Sequence, residues 1–176
     1  MNSTTTKIIV SIMNVLFWII FIGLCIESGA IIVNYFYSVF INPEATYNLY
    51  NKLDLSLLYK KDILRYHIIM SSYVILSFLK AFIAYRVVKL FTFLKFDKPF
   101  NSKSTKYIFD ISYFTLTAGI FSAVAKSQAT FASHKIQNVP IEWNTEEMLF
   151  FAGLIYIIAV IMQRGTEIQE ENDLTV

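Results

Sequence analysis

The sequence has little of what soluble or cross-linked domains need. Its single cysteine, Cys25, lies in an apolar stretch, so there is no intrachain disulfide and no cysteine metal cluster to infer. Charged residues make up only 16% of the 176 residues, against roughly 25% in soluble domains. Outside the apolar blocks no segment exceeds about 27 residues, fewer than the ~40 that a domain usually needs to fold alone. These shortages disfavour a soluble globule and leave no room for a separate catalytic domain.

Motifs that commonly carry enzyme chemistry are also missing. The sequence contains no nucleophile elbow, P-loop, dinucleotide fingerprint or zinc-ligand spacing. Two histidines, His67 and His134, stand alone near the ends of apolar blocks, which is poor support for haem or metal binding. The net charge of +2 is too small to indicate direct nucleic-acid binding. We therefore expect a non-enzyme without a cofactor.

What the sequence has in excess is apolar residues, which reach 56% and gather into four blocks. Each block has about or nearly the ~20 residues that cross a hydrocarbon core. The first is longer than the ~7–15 apolar residues of a signal peptide, so it is expected to span the membrane. The sequence predicts an all-α integral membrane four-helix bundle with short loops, forming one domain over residues 1–176. The predicted spans are 8–33, 66–93, 106–132 and 148–163.

The distribution of lysine and arginine predicts the orientation, because these residues near span ends stay in the cytoplasm. An even number of spans puts both termini on one side. That side carries Lys7, Arg86, Lys89, Lys95, Lys98, Lys103, Lys106 and Arg164, and the opposite side carries Lys52, Lys60, Lys61, Arg65 and Lys135. Both termini are therefore predicted to be cytoplasmic, with residues 164–176 as a cytoplasmic tail.

The segment after the first span predicts a short helix. Asn42 and Pro43 form a typical helix start, and apolar residues then recur from Tyr47 to Leu57 at helical spacing. This helix either lies on the outer membrane face or covers the end of the bundle.

Charged residues at membrane depth are costly, so each needs a partner or a purpose. Glu27 and Lys126 both fall roughly 28–30 Å above the start of their spans, at 1.5 Å per residue. Lys80 and Asp110 fall nearer the opposite face, where a lysine stem can snorkel. Two ion pairs are predicted, Glu27 with Lys126 and Lys80 with Asp110.

Small and polar residues of the third span recur on one helical face, which predicts that this span is central and touches the first and second. Together with the charges they form what we call the polar seam: Glu27, Lys80, Asp110, Lys126, Ser122 and Thr115. The seam either binds an ion or small ligand, or moves protons, or else it fastens the four helices together. All three prolines lie in loops, whereas transporters usually have helices broken near the midplane.

The acidic tail is either solvated or docks on the basic turn before the third span. Its ending is Gln169, Glu170, Glu171, Asn172, Asp173, Leu174, Thr175 and Val176, and the turn contains Lys98, Pro99, Phe100 and Asn101. Asn101 or Ser102 is expected to cap the third span. The tail closely resembles the ending of a family of small bacterial membrane proteins, domain of unknown function 2975, and the turn is similar to that family's pattern.

The resemblance implies a four-span bacterial inner-membrane protein with no established activity or catalytic residues. Family members are commonly encoded beside a small helix-turn-helix regulator, which implies a cytoplasmic DNA-binding partner docking on the turn and tail. We therefore expect a regulatory or sensory subunit. The alternative is a carrier for a small ion or metabolite using the polar seam, and a haem or quinone redox protein ranks last. Besides the lipid bilayer and that regulator, a second copy of the chain is left open as a partner.

Overall fold

The computed structural model of the chain is helical throughout its regular structure. It describes residues 3–94, 100–136 and 138–174, with side chains from 5 to 172. Within these ranges there is no strand, and four helices are long and apolar enough to cross a membrane. The elements are α1 (Ser3–Phe40), a 3-10 helix (Pro43–Tyr47), α2 (Ser56–Lys61), α3 (Ile63–Phe93), α4 (Ser102–Lys135) and α5 (Thr145–Leu174). The predicted all-α fold with four spans is confirmed.

The four long helices run in alternating directions. Phe17 of α1 lies beside Phe91 near the end of α3, with ring centroids 5.6 Å apart. Thr105 at the start of α4 lies beside Thr166 near the end of α5, with hydroxyl oxygens 3.0 Å apart. The start of α1 and the end of α5 are therefore at one end of the bundle, called the terminal end below. The opposite end, which carries the 3-10 helix and α2, is called the loop end.

The helices pack mainly in chain order: α1 on α3, α3 on α4, and α4 on α5. The prediction that the third span also packs on the first is wrong. The small-residue face of α4 is occupied by α5, because Leu149 lies directly over Gly119 and the Ser112 hydroxyl donates to the Ala152 carbonyl at 3.0 Å. Close contact through small residues is the usual packing of helices in lipid.

Two pairs of hydroxyl groups mark the length of the α4/α5 contact. Thr105 meets Thr166 near the terminal end, and Ser122 meets Thr145 at 2.6 Å toward the loop end. About 26 Å of helix separates Thr105 from Ser122 at 1.5 Å per residue, close to the ~30 Å of a hydrocarbon core. The helix α4 continues beyond Ser122 for about 20 Å more. The loop end therefore projects past the membrane-length part of the bundle.

The loop end has a closely packed core of its own. Leu49, Leu55, Leu58 and Tyr66 are fully buried there, and the Tyr66 hydroxyl lies 2.6 Å from the Ser38 hydroxyl. The segment after the first span thus covers the end of the bundle, as in one of its two predicted arrangements. By contrast, large apolar side chains of the first half of α1 are exposed, as expected for lipid contact: Ile8, Ile12, Ile19, Ile22 and Ile26.

The predicted helix from Tyr47 to Leu57 is wrong. The 3-10 helix ends at Tyr47, α2 begins only at Ser56, and the positive φ angles of Asn51 and Lys52 turn the chain between them.

Side chains predicted to cap helices do so. The Asn42 carboxamide accepts a hydrogen bond from the Glu44 backbone N–H at 2.9 Å, and that of Asn101 accepts from Ser104 at 2.9 Å. Asp62 caps α3, and the backbone N–H and guanidinium of Arg65 hold the pKa of this carboxyl below its usual range. These caps satisfy N–H groups that a helix start leaves without partners.

Candidate functional site

A polar cavity of about 520 Å³ opens where the projecting loop end meets the membrane-length part of the bundle. It lies between α1, α3 and two loop segments, and it is the candidate site. Most of the side chains that line the cavity are charged or can form hydrogen bonds, and they come from all four of these elements. The lining residues are Glu27, Tyr50, Asn51, Lys52, Leu53, Tyr73, Lys80, Pro140, Ile141, Glu142 and Asn144.

The first loop segment reaches the cavity through a tight turn. The Leu49 backbone N–H donates to the Leu53 carbonyl at 2.9 Å, and the Asn34 carboxamide of α1 donates to the Leu49 carbonyl. Because Leu49 and Leu53 are buried, the turn presents its polar tip, Asn51 and Lys52, to the cavity.

The second loop segment is held against α4. The Ser122 hydroxyl donates to the Trp143 carbonyl at 2.7 Å, and the Trp143 side chain is buried with its ring centroid 6.3 Å from that of Tyr73. This anchoring places Glu142 and Asn144, on either side of Trp143, in the cavity wall.

Backbone strain is concentrated at this cavity. Among the described residues other than glycine, three have positive φ angles, namely Asn51 (46°), Lys52 (66°) and Asn144 (49°). All three line the cavity. Left-handed conformations are costly for residues with a side chain and tend to cluster at functional sites. Asparagine adopts this conformation more readily than most residues, so the strain in the cavity wall is greatest at Lys52.

Replacing Lys52 with glycine is expected to stabilise the protein by about 1 kcal/mol relative to Lys52→Ala, because only glycine adopts a positive φ without steric cost. Both variants remove the same charge, so their difference in detergent melting temperature isolates the backbone strain. Equal melting temperatures would contradict strain at this position.

The charges of the cavity face one another without a close ion pair. Among the described residues, Lys80 donates a 3.3 Å hydrogen bond to the Asn144 carboxamide, and no carboxylate lies within 4 Å of its ammonium group. Glu27 and Glu142 line the same cavity. With Lys52, two carboxylates and two ammonium groups thus surround a space that a small polar molecule could fill.

Both predicted ion pairs are wrong. Lys126 pairs with Glu146 at 2.6 Å, because α5 begins at the same depth and brings an acid from its first turn. Asp110 pairs with Arg86 at 3.5 Å, and Lys80 lies about 9 Å farther along α3 toward the loop end.

The two hydroxyl residues of the polar seam have local partners. Thr115 is buried and donates to the Ile111 carbonyl of its own helix at 2.6 Å. Ser122 is buried between α4 and the start of α5. Of the six seam residues, the structure brings only Glu27 and Lys80 together.

At the terminal end the turn contacts the tail. The Ser102 hydroxyl donates to the Glu170 carboxylate at 2.5 Å, and the Phe100 ring lies so close to Gly165 that a Cβ there would overlap it. The tail is helical, since α5 continues to Leu174. Of the predicted docking residues, Lys98, Pro99, Thr175 and Val176 lie outside the described residues. In the described part the tail therefore packs on the turn, and the role of these residues in docking a partner stays a prediction.

Four residues that line the cavity or form ion pairs are not among the predicted site residues. Three of them, Glu142, Asn144 and Glu146, lie just before or at the start of α5 and outside the predicted spans. The fourth is Arg86, which the orientation argument places on the cytoplasmic side. The one available signal was the cluster of three acids and an asparagine within Glu142–Glu147, which is unusual directly before an apolar block.

A family model described as a protein of unknown function (DUF2975) matches residues 38–176, most of the chain. The chain belongs to the DUF2975 family. The matched region of this DUF2975 protein includes every cavity residue except Glu27, together with the turn and the tail. No curated protein and no solved structure matches the chain.

Proposed function

We propose that this DUF2975 protein is a non-enzymatic sensory subunit of the bacterial inner membrane. Its loop-end cavity receives a small polar ligand, and its terminal end presents the turn and tail to a cytoplasmic helix-turn-helix regulator. The observation that carries the proposal is the continuity of α1 and α3: both line the cavity, and both extend without a break to the terminal end. A ligand that shifts either helix at the cavity therefore shifts it at the opposite membrane face.

The uninterrupted helices also favour a sensor over a carrier. Carriers commonly bind their substrate where spanning helices are broken near the midplane. Here the described cavity lies at one end of the membrane-length region, beside the projecting core, rather than at its centre.

In the proposed orientation, the cavity faces away from the cytoplasm and both termini are cytoplasmic. The excess of lysine and arginine at the terminal end supports this orientation. Reporter fusions at Asn48 and after Val176 test it. Cytoplasmic activity of the Asn48 fusion would overturn it.

The partner surface is tested by breaking the contact between turn and tail. Gly165→Val is expected to push the Phe100 ring away and weaken binding of the proposed helix-turn-helix regulator by about tenfold. Binding is measured by biolayer interferometry with the full chain in nanodiscs. The matched control is Gly23→Val, because a Cβ at Gly23 meets nothing within 4 Å.

A version ending before Gln169 is expected to lose binding of the regulator altogether. Unchanged affinity in both Gly165→Val and this truncation would overturn the proposed partner surface. Ion or metabolite flux into liposomes containing the protein would favour the carrier instead.

A further inference from the structure

A groove in two parts runs along α4 and α5 from the terminal end into the membrane-length region. Its wider part, about 630 Å³, begins at Ser102 and Glu170. Its deeper part, about 420 Å³, reaches Leu116 and Leu149. Tyr113 and Tyr156 line both parts and stand where the two parts meet, with ring centroids 6.1 Å apart.

The chemistry of the groove changes in order with depth. Glu170 stands at the outermost level, opposite Ser102. Lys106 follows one turn deeper, the two tyrosines lie below it, and Leu116 is about 21 Å of helix from Ser102. Tyrosine is typical of the membrane interface and leucine of the hydrocarbon core. From the outside inward, the groove therefore presents the Glu170 anion, the Lys106 cation, the tyrosine rings and an apolar wall.

The groove is lined by four charged residues, of which two have an ionic partner among the described residues and two have none. Asp110 pairs with Arg86, and Glu167 pairs with Arg164 at 2.8 Å. Among the described residues, Lys106 has no carboxylate within 4 Å, and Glu170 is contacted by the Ser102 hydroxyl alone. One cation and one anion at successive depths are thus available to a ligand.

We propose that this groove binds one phospholipid with a primary ammonium headgroup, phosphatidylethanolamine. The lipid phosphate binds Lys106, the ammonium group binds the Glu170 carboxylate above it, and an acyl chain lies along Leu116 and Leu149. The order of the charges agrees with the lipid, whose ammonium group is farther from the bilayer centre than its phosphate. An anionic lipid such as phosphatidylglycerol has no cation for Glu170 and is repelled by it.

The deep part of the groove has an open position that permits a direct test. A Cβ added at Gly153, which lines this part, would meet nothing within 4 Å. A leucine at this position would therefore fill space that the acyl chain occupies while leaving the helix contacts in place. Gly23→Leu on the lipid-exposed side of α1 is the matched control.

Native mass spectrometry of the full chain, released from detergent containing equal amounts of phosphatidylethanolamine and phosphatidylglycerol, tests the proposal without the regulator. We expect one retained phosphatidylethanolamine, with about tenfold preference over phosphatidylglycerol. Glu170→Gln should abolish the preference, Lys106→Gln should lower retention of both lipids, and Gly153→Leu should lower retention relative to Gly23→Leu.

Equal retention of the two lipids by the unchanged protein would overturn the proposal, as would a preference for phosphatidylglycerol. Equal retention of phosphatidylethanolamine by Gly153→Leu and Gly23→Leu would also overturn the assignment to this groove. Because no regulator is present, failure here is distinguishable from failure of the proposed partner surface.

Discussion

Replacing Asp110 with asparagine is expected to destabilise the protein by about 3 kcal/mol, because it leaves the Arg86 guanidinium without its counter-charge at membrane depth. Arg86 and Asp110 are only 28% and 24% exposed even before lipid covers the helices. The guanidinium carbon lies 4.9 Å from the Phe82 ring centroid and 5.7 Å from that of Tyr107, so few water molecules can replace the lost carboxylate.

A double-mutant cycle in detergent measures the coupling. Arg86→Met and Asp110→Leu should each lower the free energy of unfolding strongly, whereas the double variant should recover most of the loss, because two apolar side chains leave no stranded charge. Simple addition of the two effects would show that the pair does not interact.

The exposed pair between Lys126 and Glu146 is the matched control. Its side chains are 46% and 72% exposed, so Glu146→Gln should lower the melting temperature far less than Asp110→Asn does. A loss at Glu146 equal to that at Asp110 would mean that burial does not explain the difference.

The second large effect is expected at the loop end, where Tyr66→Ala should destabilise the protein by about 3–5 kcal/mol. Tyr66 is fully buried, and its ring stands edge-on to Tyr59 at 5.0 Å. Removing the ring leaves a void in the core that positions the turn bearing Asn51 and Lys52. The melting temperature in detergent measures the effect.

Tyr66→Phe separates the ring from the hydroxyl. It keeps the packing and loses the hydrogen bond with Ser38, so a loss of about 1 kcal/mol is expected. Leu57→Ala on the same end is the control, since Leu57 is exposed and should change stability little. A melting temperature of Tyr66→Ala as high as that of Leu57→Ala would contradict a packed core at the loop end.

The spans and helix starts could be predicted because they depend on local sequence. Apolar runs long enough to cross a membrane are visible directly, and Asn42 and Asn101 cap helices through contacts within a few residues. Predicted charge pairs failed because the sequence does not give the depth at which α5 begins. Once Thr145 meets Ser122, Glu146 rather than Glu27 is the acid beside Lys126.

The cavity could not be predicted for a related reason. Its two loop segments are placed by long-range contacts, from Asn34 to the Leu49 carbonyl and from Ser122 to the Trp143 carbonyl. Neither contact has a local signature, and the left-handed conformation of Lys52 runs against local preference. Sequence patterns report what neighbours along the chain favour, and these features depend on residues that are distant along it.

The hydroxyl pairs at both ends of the α4/α5 contact limit how these helices can move. Sliding α5 along α4 by one turn, about 5.4 Å, would break the Thr105–Thr166 and Ser122–Thr145 contacts together. A piston motion of α5 is therefore costly. The first half of α1 is held differently, by aromatic contacts such as that of Phe21 with Tyr85, which tolerate rotation and tilt. For the proposed sensor, motion between the two membrane faces would therefore be rocking of α1 and α3 against an α4/α5 pair of fixed register.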